Sequence, residues 1–338
     1  MPQTSFDPYK IAKNKKEFGY IEVVDNVAAS YKMPVGVVNG ASDGPTLVVT
    51  GGLYPTEYYG LESAARLYQE IDPAQLVGRF ISIPCINMYG LQFRGPMKLI
   101  STGRNPVDML NINNSFPGDE NGKPSQVNAK RVYDILSKAD YHIDFRGGDL
   151  PESHLQHTIY DKLGDELDEV AETMAKAAGF KYVLPGTPEI GHTSPSTMIY
   201  EAMKSGCASI ITEAGLGYRE QPLEKYIQAH IDATYNIMKQ FGMMEGEPVK
   251  PETQHFLDME WVRVPSPGPG IFIAHADHGD ILKQGQVIGL IKDLDGSILH
   301  EVKSPIDGIV HTMYPRRVVH VNDGLYTLLR INGKTGWV

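Results

Sequence analysis

Four side chains in this sequence have the types and settings for acid–base chemistry at the edge of a sheet: Tyr54, Glu57, Arg146 and Glu213. Tyr54 and Glu57 lie in Thr50-Gly-Gly-Leu-Tyr-Pro-Thr-Glu57, where a buried apolar strand over 46–50 enters a glycine turn and a helix starts at Glu57. Arg146 lies in Asp144-Phe-Arg146-Gly-Gly-Asp149, and Glu213 follows the almost purely apolar run 207–212. Open α/β sheets bind their ligands at the C-terminal ends of such strands. A carboxylate there is a candidate general base, an arginine is a permanent cation able to stabilise an oxyanion, and a phenol can donate a proton or a hydrogen bond.

The surrounding pattern supplies the strands and helices that must position these groups. Short β-rich runs are expected over 19–25, 31–38, 79–85, 140–145 and 155–160, with turn-rich residues between them. Leu61, Ala64, Ala65, Tyr68 and Ile71 recur at three- and four-residue intervals, which predicts a helix over 57–71 with that face inward. Further helices are predicted over 125–137, 161–178, 196–204 and 222–241. The stretch 89–118 has no clear period but carries Arg94, Arg104, Asp108, Asn111, Asn113 and Asn114. Loops of that length inside compact domains are uncommon and usually functional.

From 242 to 254 the composition is that of a linker. Beyond it come short alternating strands broken by Gly and Pro, including two similar hairpins at 278–291 and 317–329. These read as a lipoyl-like barrel-sandwich without the hairpin-tip lysine of a lipoyl carrier. Two domains are therefore expected, an α/β domain over 1–250 and an all-β barrel-sandwich domain over 255–338.

A net charge of -10 over 338 residues, with no basic stripe, argues against binding nucleic acid through its phosphates. The two cysteines, Cys85 and Cys207, sit in apolar runs and read as buried thiols. The first residues lack an apolar signal core and no run approaches the ~20 apolar residues of a membrane span. A cytoplasmic protein is expected, with no membrane partner and with a homo-oligomer left open. His154 and His157, three apart on an expected strand, should face opposite sides, and His275 and His278 suit hydrogen-bonding roles in a turn. Glu152 with His154 is the one local pair worth testing as metal ligands.

Together these residues resemble the succinylglutamate desuccinylase/aspartoacylase family, whose members have a zinc carboxypeptidase-like fold. The resemblance covers nearly the whole chain. It implies a mixed sheet flanked by helices, followed by the small β domain. In that family a Gly-x-His-Gly-x-Glu turn supplies two zinc ligands and an Asp-Leu-His-x-Gly segment the third. Here Gly51, Gly52, Glu57 and Gly60 match the first motif with Tyr54 in place of its His, and Asp144, Gly147, Gly148 and Asp149 match the second with Arg146 in place of its His. Asp108, Asn111, Asn113, Phe116, Pro117 and Gly118 match the carboxylate-binding motif, with Asn114 in place of its arginine. Arg104 falls at the place of the carbonyl-polarising arginine and Glu213 at that of the general base.

The resemblance implies zinc, but the residues argue against it. A phenol with a pKa near ~10 is a poor ligand at neutral pH, and a guanidinium has no lone pair to give. With no dication between them Glu57 and Glu213 would repel, so Arg146 is expected to fork onto Glu57, and onto Glu213 as well, as an internal replacement for the metal. The expected protein is an enzyme of N-acyl amino acid amidohydrolase ancestry acting without zinc on an amide, ester or activated carbonyl. Glu213 would be its base, with Arg104 and Arg146 as electrostatic stabilisers and Tyr54 as a further acid. Glu57, Arg146, Asn113 and Asn114 would touch a small carboxylate- or amide-bearing metabolite, with Arg94 or Arg104 holding any acidic group. Two other readings stand beside it: a non-catalytic ligand-binding regulator, and a lyase or isomerase using Tyr54 and Glu213 for proton transfer.

Overall fold

A computed structural model describes residues 6–26, 29–93, 103–149, 152–189, 193–217 and 221–331. In chain order the α/β part runs β1 (Lys15–Asn26), β2 (Ala29–Asn39), β3 (Ser42–Thr50), α1 (Tyr58–Glu70), β4 (Val77–Ile83), α2 (Met88–Leu91), α3 (Pro124–Leu136) and β5 (Tyr141–Arg146). It continues through β6 (Ser153–His154), β7 (His157–Asp161), α4 (Leu167–Ala177), β8 (Tyr182–Gly186), α5 (Met198–Lys204), β9 (Ala208–Glu213), α6 (Glu224–Gln240) and β10 (His255–Phe256).

One sheet takes nine of these strands in the order β1-β2-β4-β3-β5-β9-β7-β8-β10. Its centre is parallel from β4 through β3 and β5 to β9, after which β7 runs antiparallel to β9. The central strands are buried on both faces because helices cover both. On β3, Leu47 and Val49 pack with α1, α4 and α6, while Val48 packs on the other side with α3 and α5. The same alternation on β5 sends Ile143 and Phe145 to the α1 side and leaves His142, Asp144 and Arg146 facing the other way.

Helix α1 is turned relative to its hydropathy pattern. It buries Tyr59, Gly60, Ser63, Ala64 and Leu67, while Leu61, Ala65 and Tyr68 are only partly covered. Close approach decides this: a Cβ on Gly60 would stand 2.6 Å from the carbonyl oxygen of Phe145. Ser63 satisfies its buried hydroxyl by donating to the carbonyl of Tyr59 at 2.7 Å. Small residues therefore hold the helix against β5, the strand that carries Arg146.

The remaining strands are β11 (Trp261–Pro265), β12 (Gly270–Ala274), β13 (Ile281–Leu282), β14 (Val287–Lys292), β15 (Ile298–Lys303), β16 (Gly308–Met313), β17 (Val318–Val319) and β18 (Gly324–Arg330). They form two sheets, β11-β18-β16-β13 and β15-β14-β12-β17, around a core that includes Leu282, Ile288, Val310 and Leu328. Strand pairing and a shared apolar cluster join this unit to the larger one. Strand β6 pairs with β16, His154 opposite Thr312, so a segment of the α/β part becomes an edge of the smaller unit's sheet. Strand β10 pairs with β8, and Leu257 and Met259 pack with Ile211, Ile309 and Leu329 in a shared apolar cluster. The last strand of the large sheet thus lies beyond the linker-like segment, and the smaller unit's own strands begin at Trp261 rather than at 255. Cys85 and Cys207 are buried free thiols. No helix among the described residues is long and apolar enough to cross a membrane.

Candidate active site

The parallel register places the catalytic candidates side by side. Thr50 at the end of β3 aligns with Asp144, Arg146 at the end of β5 aligns with Glu213 at the end of β9, and His157 at the start of β7 lies opposite Glu213. Above these ends is a cavity of about 270 Å³. Tyr54, Glu57, Arg146, Asp149, Glu152, His154 and Glu213 line it from the α/β side. Trp261, His311, Thr312, Tyr314 and Thr327 line it from the smaller β unit. The cavity is small-molecule sized, and the β domain forms one of its walls.

Arg146 is 1% exposed and its charge is already answered. Its Nε donates to Asp144, and its guanidinium lies 4.6 Å from the centroid of the Tyr54 ring. This differs from the expected fork onto Glu57: no ion pair within 4.0 Å joins those two among the described residues, and the carboxylate two positions back on the same strand takes the guanidinium instead. The Nη2 of Arg146 is buried without a hydrogen-bond partner. Beneath the pair runs a buried polar chain. The Thr50 hydroxyl donates to Asp144 Oδ1 at 2.8 Å, so it must accept from His142 Nε2 at 2.9 Å. That fixes the tautomer, leaving His142 Nδ1 to accept from the Ser209 hydroxyl at 2.5 Å. Burial lowers the pKa of His142 to about 3, so this relay is neutral apart from the ion pair it supports.

Glu57 occupies the N-cap position of α1 but does not cap it; the side chain belongs to the cavity. Burial first, and then repulsion from Glu213, push its pKa well above the ordinary 4.5, with Arg146 opposing. Burial also raises Glu213, against the pull of His154 and Arg146. For His154 burial works downward, but the hydrogen bond to Glu152 and the charges of Glu152 and Glu213 outweigh it and raise the pKa. Burial and its like-charge neighbours thus favour the neutral form of Glu57.

The raised Glu57 has a measurable sign. The folded state binds the proton more tightly than the unfolded state, so this contribution to stability is present at low pH and is lost as pH climbs from the ordinary glutamate range through the folded value. Glu57→Gln keeps the shape and removes the titration. Its unfolding free energy relative to the unmodified protein should therefore rise with pH above about 4.5, by at most about 1.4 kcal/mol per pH unit. Urea unfolding at a series of pH values reads this directly, and a pH-independent difference would contradict it.

His154 is the residue that sequence reasoning placed least well. Its Nε2 lies 2.9 Å from Glu152 Oε2, and its Nδ1 lies 3.9 Å from Glu213 Oε2, with neither of the latter two atoms hydrogen bonded. The expectation that His154 and His157 face opposite sides requires a continuous strand, and the strand breaks between β6 and β7. Both rings consequently approach His311, at centroid separations of 5.2 and 4.8 Å. His278 accepts a turn role as expected, its Nδ1 lying 2.7 Å from the Ser153 hydroxyl.

The other expected site residues lie elsewhere. Arg104 is exposed, donates to the carbonyl oxygen of Met109 at 2.7 Å, and does not line the cavity. Asn113 is buried and accepts from the Met198 backbone at 3.2 Å, which serves the start of α5 rather than a ligand. Asn114 is exposed beside it, outside the cavity. Asp108 holds Ser125 at the start of α3 through its backbone N–H and its hydroxyl, each at 2.8 Å. Arg94 lies outside the described residues. Trp261, His311 and Tyr314 were not expected at all, since nothing local in their sequence marks them as neighbours of Glu213.

The nine-stranded mixed sheet, its strand-end cavity and the appended β domain define a carboxypeptidase-like α/β class of protein. The family model for the succinylglutamate desuccinylase/aspartoacylase catalytic domain matches residues 43–238, and the chain belongs to that family. The N-alpha-acetyl-L-2,4-diaminobutyric acid deacetylase of Halomonas elongata is 28% identical over 289 residues, 82% of this chain and 80% of its own. A crystal structure of a succinylglutamate desuccinylase/aspartoacylase from Rhodobacter sphaeroides shares the fold at a TM-score of 0.78 and 24% identity, covering 96% of this chain and 98% of its own. The product-bound ectoine utilization protein EutE from Ruegeria pomeroyi does so at 0.80 and 21%, covering 95% and 98%.

The residues present do not fit a zinc ion held in the manner the family implies. Of the three ligand places only Glu57 offers a normal donor. Arg146 has no lone pair, and Asp144 and the Tyr54 ring hold it in place. Burial raises the pKa of the Tyr54 phenol, with Arg146 opposing, which keeps it protonated and a poor ligand. Among the described residues no group of three or more His, Cys, Asp or Glu side chains is arranged to hold a metal ion.

Proposed function

We propose that this protein is a small-molecule hydrolase of the N-acyl amino acid amidohydrolase type that works without the family zinc. The observation that carries the reading is that three residues lining one cavity each hold a buried polar atom without a hydrogen-bond partner: Oε2 of Glu213, Nδ1 of His154 and Nη2 of Arg146. Buried polar atoms are rarely left unsatisfied in proteins, and their convergence on one small cavity supports a ligand that satisfies them. The family relationship, with a deacetylase among the relatives, supports acyl transfer to water as the reaction class.

In this reading Glu213 removes a proton from water while the water oxygen attacks the acyl carbon. The N–H of Arg146 Nη2 stabilises the developing oxyanion, taking the role expected of Arg104. The bond from acyl carbon to leaving group then breaks, and the proton held by Glu213 passes to the departing amine or alcohol. Glu152 orients His154, whose pKa is raised by the Glu152 hydrogen bond and the nearby carboxylates, which favours its cationic form beside Glu213. Glu57 in its neutral form adds a hydrogen-bond donor without adding a further negative charge. Because no group here makes hydroxide at neutral pH as a metal would, esters and activated amides should turn over faster than plain amides.

The test is release of amine or alcohol from a panel of N-acyl amino acids and their ester analogues, followed in the presence of chelator. Turnover of at least one member is expected. Compounds that bind and are never cleaved would leave the ligand-binding reading in place of this one.

A further inference from the structure

We infer that two copies of this chain associate through the free edge of β1, strand against antiparallel strand, joining their nine-stranded sheets across a two-fold axis at Gly19. Strands β2, β4 and β3 separate that edge from β5, so the inference is independent of the functional reading above.

Strand β1 is 12 residues long and pairs on one side with β2; among the described residues no strand takes its outer side. An unpaired edge offers a row of N–H and C=O groups to another strand, and proteins commonly blunt it by shortening the strand or placing proline there. The opposite edge of this sheet is blunted in that way, ending in the two-residue β10. Strand β1 keeps its length, contains no proline, and has its one irregularity late, between Glu22 and Val24. Its α1-side face also exposes aromatic surface. Phe18 is 44% exposed and Tyr20 53%, and the Phe18 ring centroid lies 5.5 Å from that of Tyr68 on α1.

The order of residues along this edge selects a second copy as its occupant. In an antiparallel pair centred on Gly19, Phe18 stands opposite Tyr20 of the partner subunit and Lys16 opposite Glu22 of the partner subunit, each pair occurring twice across the axis. Aromatic pairs and opposite charges directly across a sheet are stabilising, and like charges there are destabilising. Glu22 is exposed. Lys16 Nζ donates to the carbonyl oxygen of Gln69 at 2.8 Å, which leaves two N–H groups for a carboxylate. A shifted centre loses this match: centring on Phe18 sets Lys16 opposite Tyr20 of the partner subunit, and centring on Tyr20 sets Glu22 opposite Phe18 of the partner subunit. At the axis Gly19 has no side chain to collide, and the Phe6 ring of its own chain fills the space a Cβ would enter, 2.2 Å away.

Sedimentation equilibrium of the full chain over about 1–100 µM tests this, and a mass of two chains is expected in that range. Lys16→Glu and Glu22→Lys each set like charges opposite one another twice across the axis. Each should weaken association at least about tenfold while leaving the far-UV circular dichroism spectrum unchanged. Mixed in equal amounts, the two variants oppose unlike charges at every pair and should return to within about threefold of the unmodified affinity. One chain carrying both substitutions should do the same. A mass other than two chains, a two-chain mass that neither variant weakens, or weakening that neither the mixture nor the doubly substituted chain reverses would overturn the inference.

Discussion

Glu213→Gln leaves the protein folded and its ligand affinity close to unchanged, while kcat for the best N-acyl or ester substrate falls by roughly a hundred- to ten-thousand-fold. The substitution keeps the size of a side chain that is buried at the end of β9, and it removes the carboxylate that the proposed mechanism uses to accept the proton of water. It also removes the cost of burying the Glu213 carboxylate, so stability should hold or rise. The pH profile separates a base from a mere contact residue. Because burial raises Glu213, the base form accumulates only above the ordinary glutamate range, and activity should climb with pH through that raised value. The climb should vanish in Glu213→Gln. A variant that retains a tenth or more of the unmodified kcat would remove Glu213 from the mechanism.

Arg146→Met should lower the unfolding free energy by about 3–5 kcal/mol, because it leaves the Asp144 carboxyl fully buried and without its cation. The hydrogen bond from the Thr50 hydroxyl remains, but a neutral donor does not replace an ion pair. The double variant Asp144→Asn with Arg146→Met removes both charges together and should recover most of the loss, since exchanging a buried pair for neutral groups is often close to neutral. Urea unfolding of the two single variants and the double variant gives the coupling. If the single and double variants lose equal stability, the ion pair is not what holds this strand end. Turnover should be lost in both variants whatever their stability, because the proposed mechanism uses Arg146 Nη2 as the oxyanion donor.

Much of this architecture was legible in the chain because its signals are local. Strands β3, β5 and β9 are short β-rich runs that end in glycine turns, so Tyr54, Glu57, Arg146 and Glu213 could be placed at one sheet edge before any coordinates. The parallel register of β5 and β9 then brings Arg146 and Glu213 together as expected. Helix α1 shows where hydropathy misleads, since its buried face is built from Gly60, Ser63 and Ala64 for close approach rather than from its larger apolar residues. Helix α4 begins at Leu167 rather than 161, because Asp161 ends β7 and the Asp168 carboxylate accepts from the N–H groups of Leu163 and Gly164 in the intervening turn.

What could not be read from the chain depends on contacts between distant segments. His154 reaches Glu213 because β6 pairs with β16, and that same pairing carries His311, Thr312 and Tyr314 to the cavity. Strand pairs so far apart leave no periodic trace in either segment. The partner of Arg146 turned on distance: Asp144 lies two residues away on the same face of one strand, closer than the helix-start carboxylate across the turn. Arg104 and Asn113 were placed by motif position alone, and local hydrogen bonds to Met109 and Met198 decide where they point.

The central claim is a pocket whose chemistry no longer depends on a metal, and metal content measured beside activity tests it most directly. Protein purified without chelator is assayed for zinc and other divalent metals, and its turnover is compared before and after exhaustive chelation. The account predicts metal far below one ion per chain and unchanged turnover after chelation. Stoichiometric zinc that disappears in Glu57→Ala, with activity that falls on chelation and returns with zinc, would contradict it.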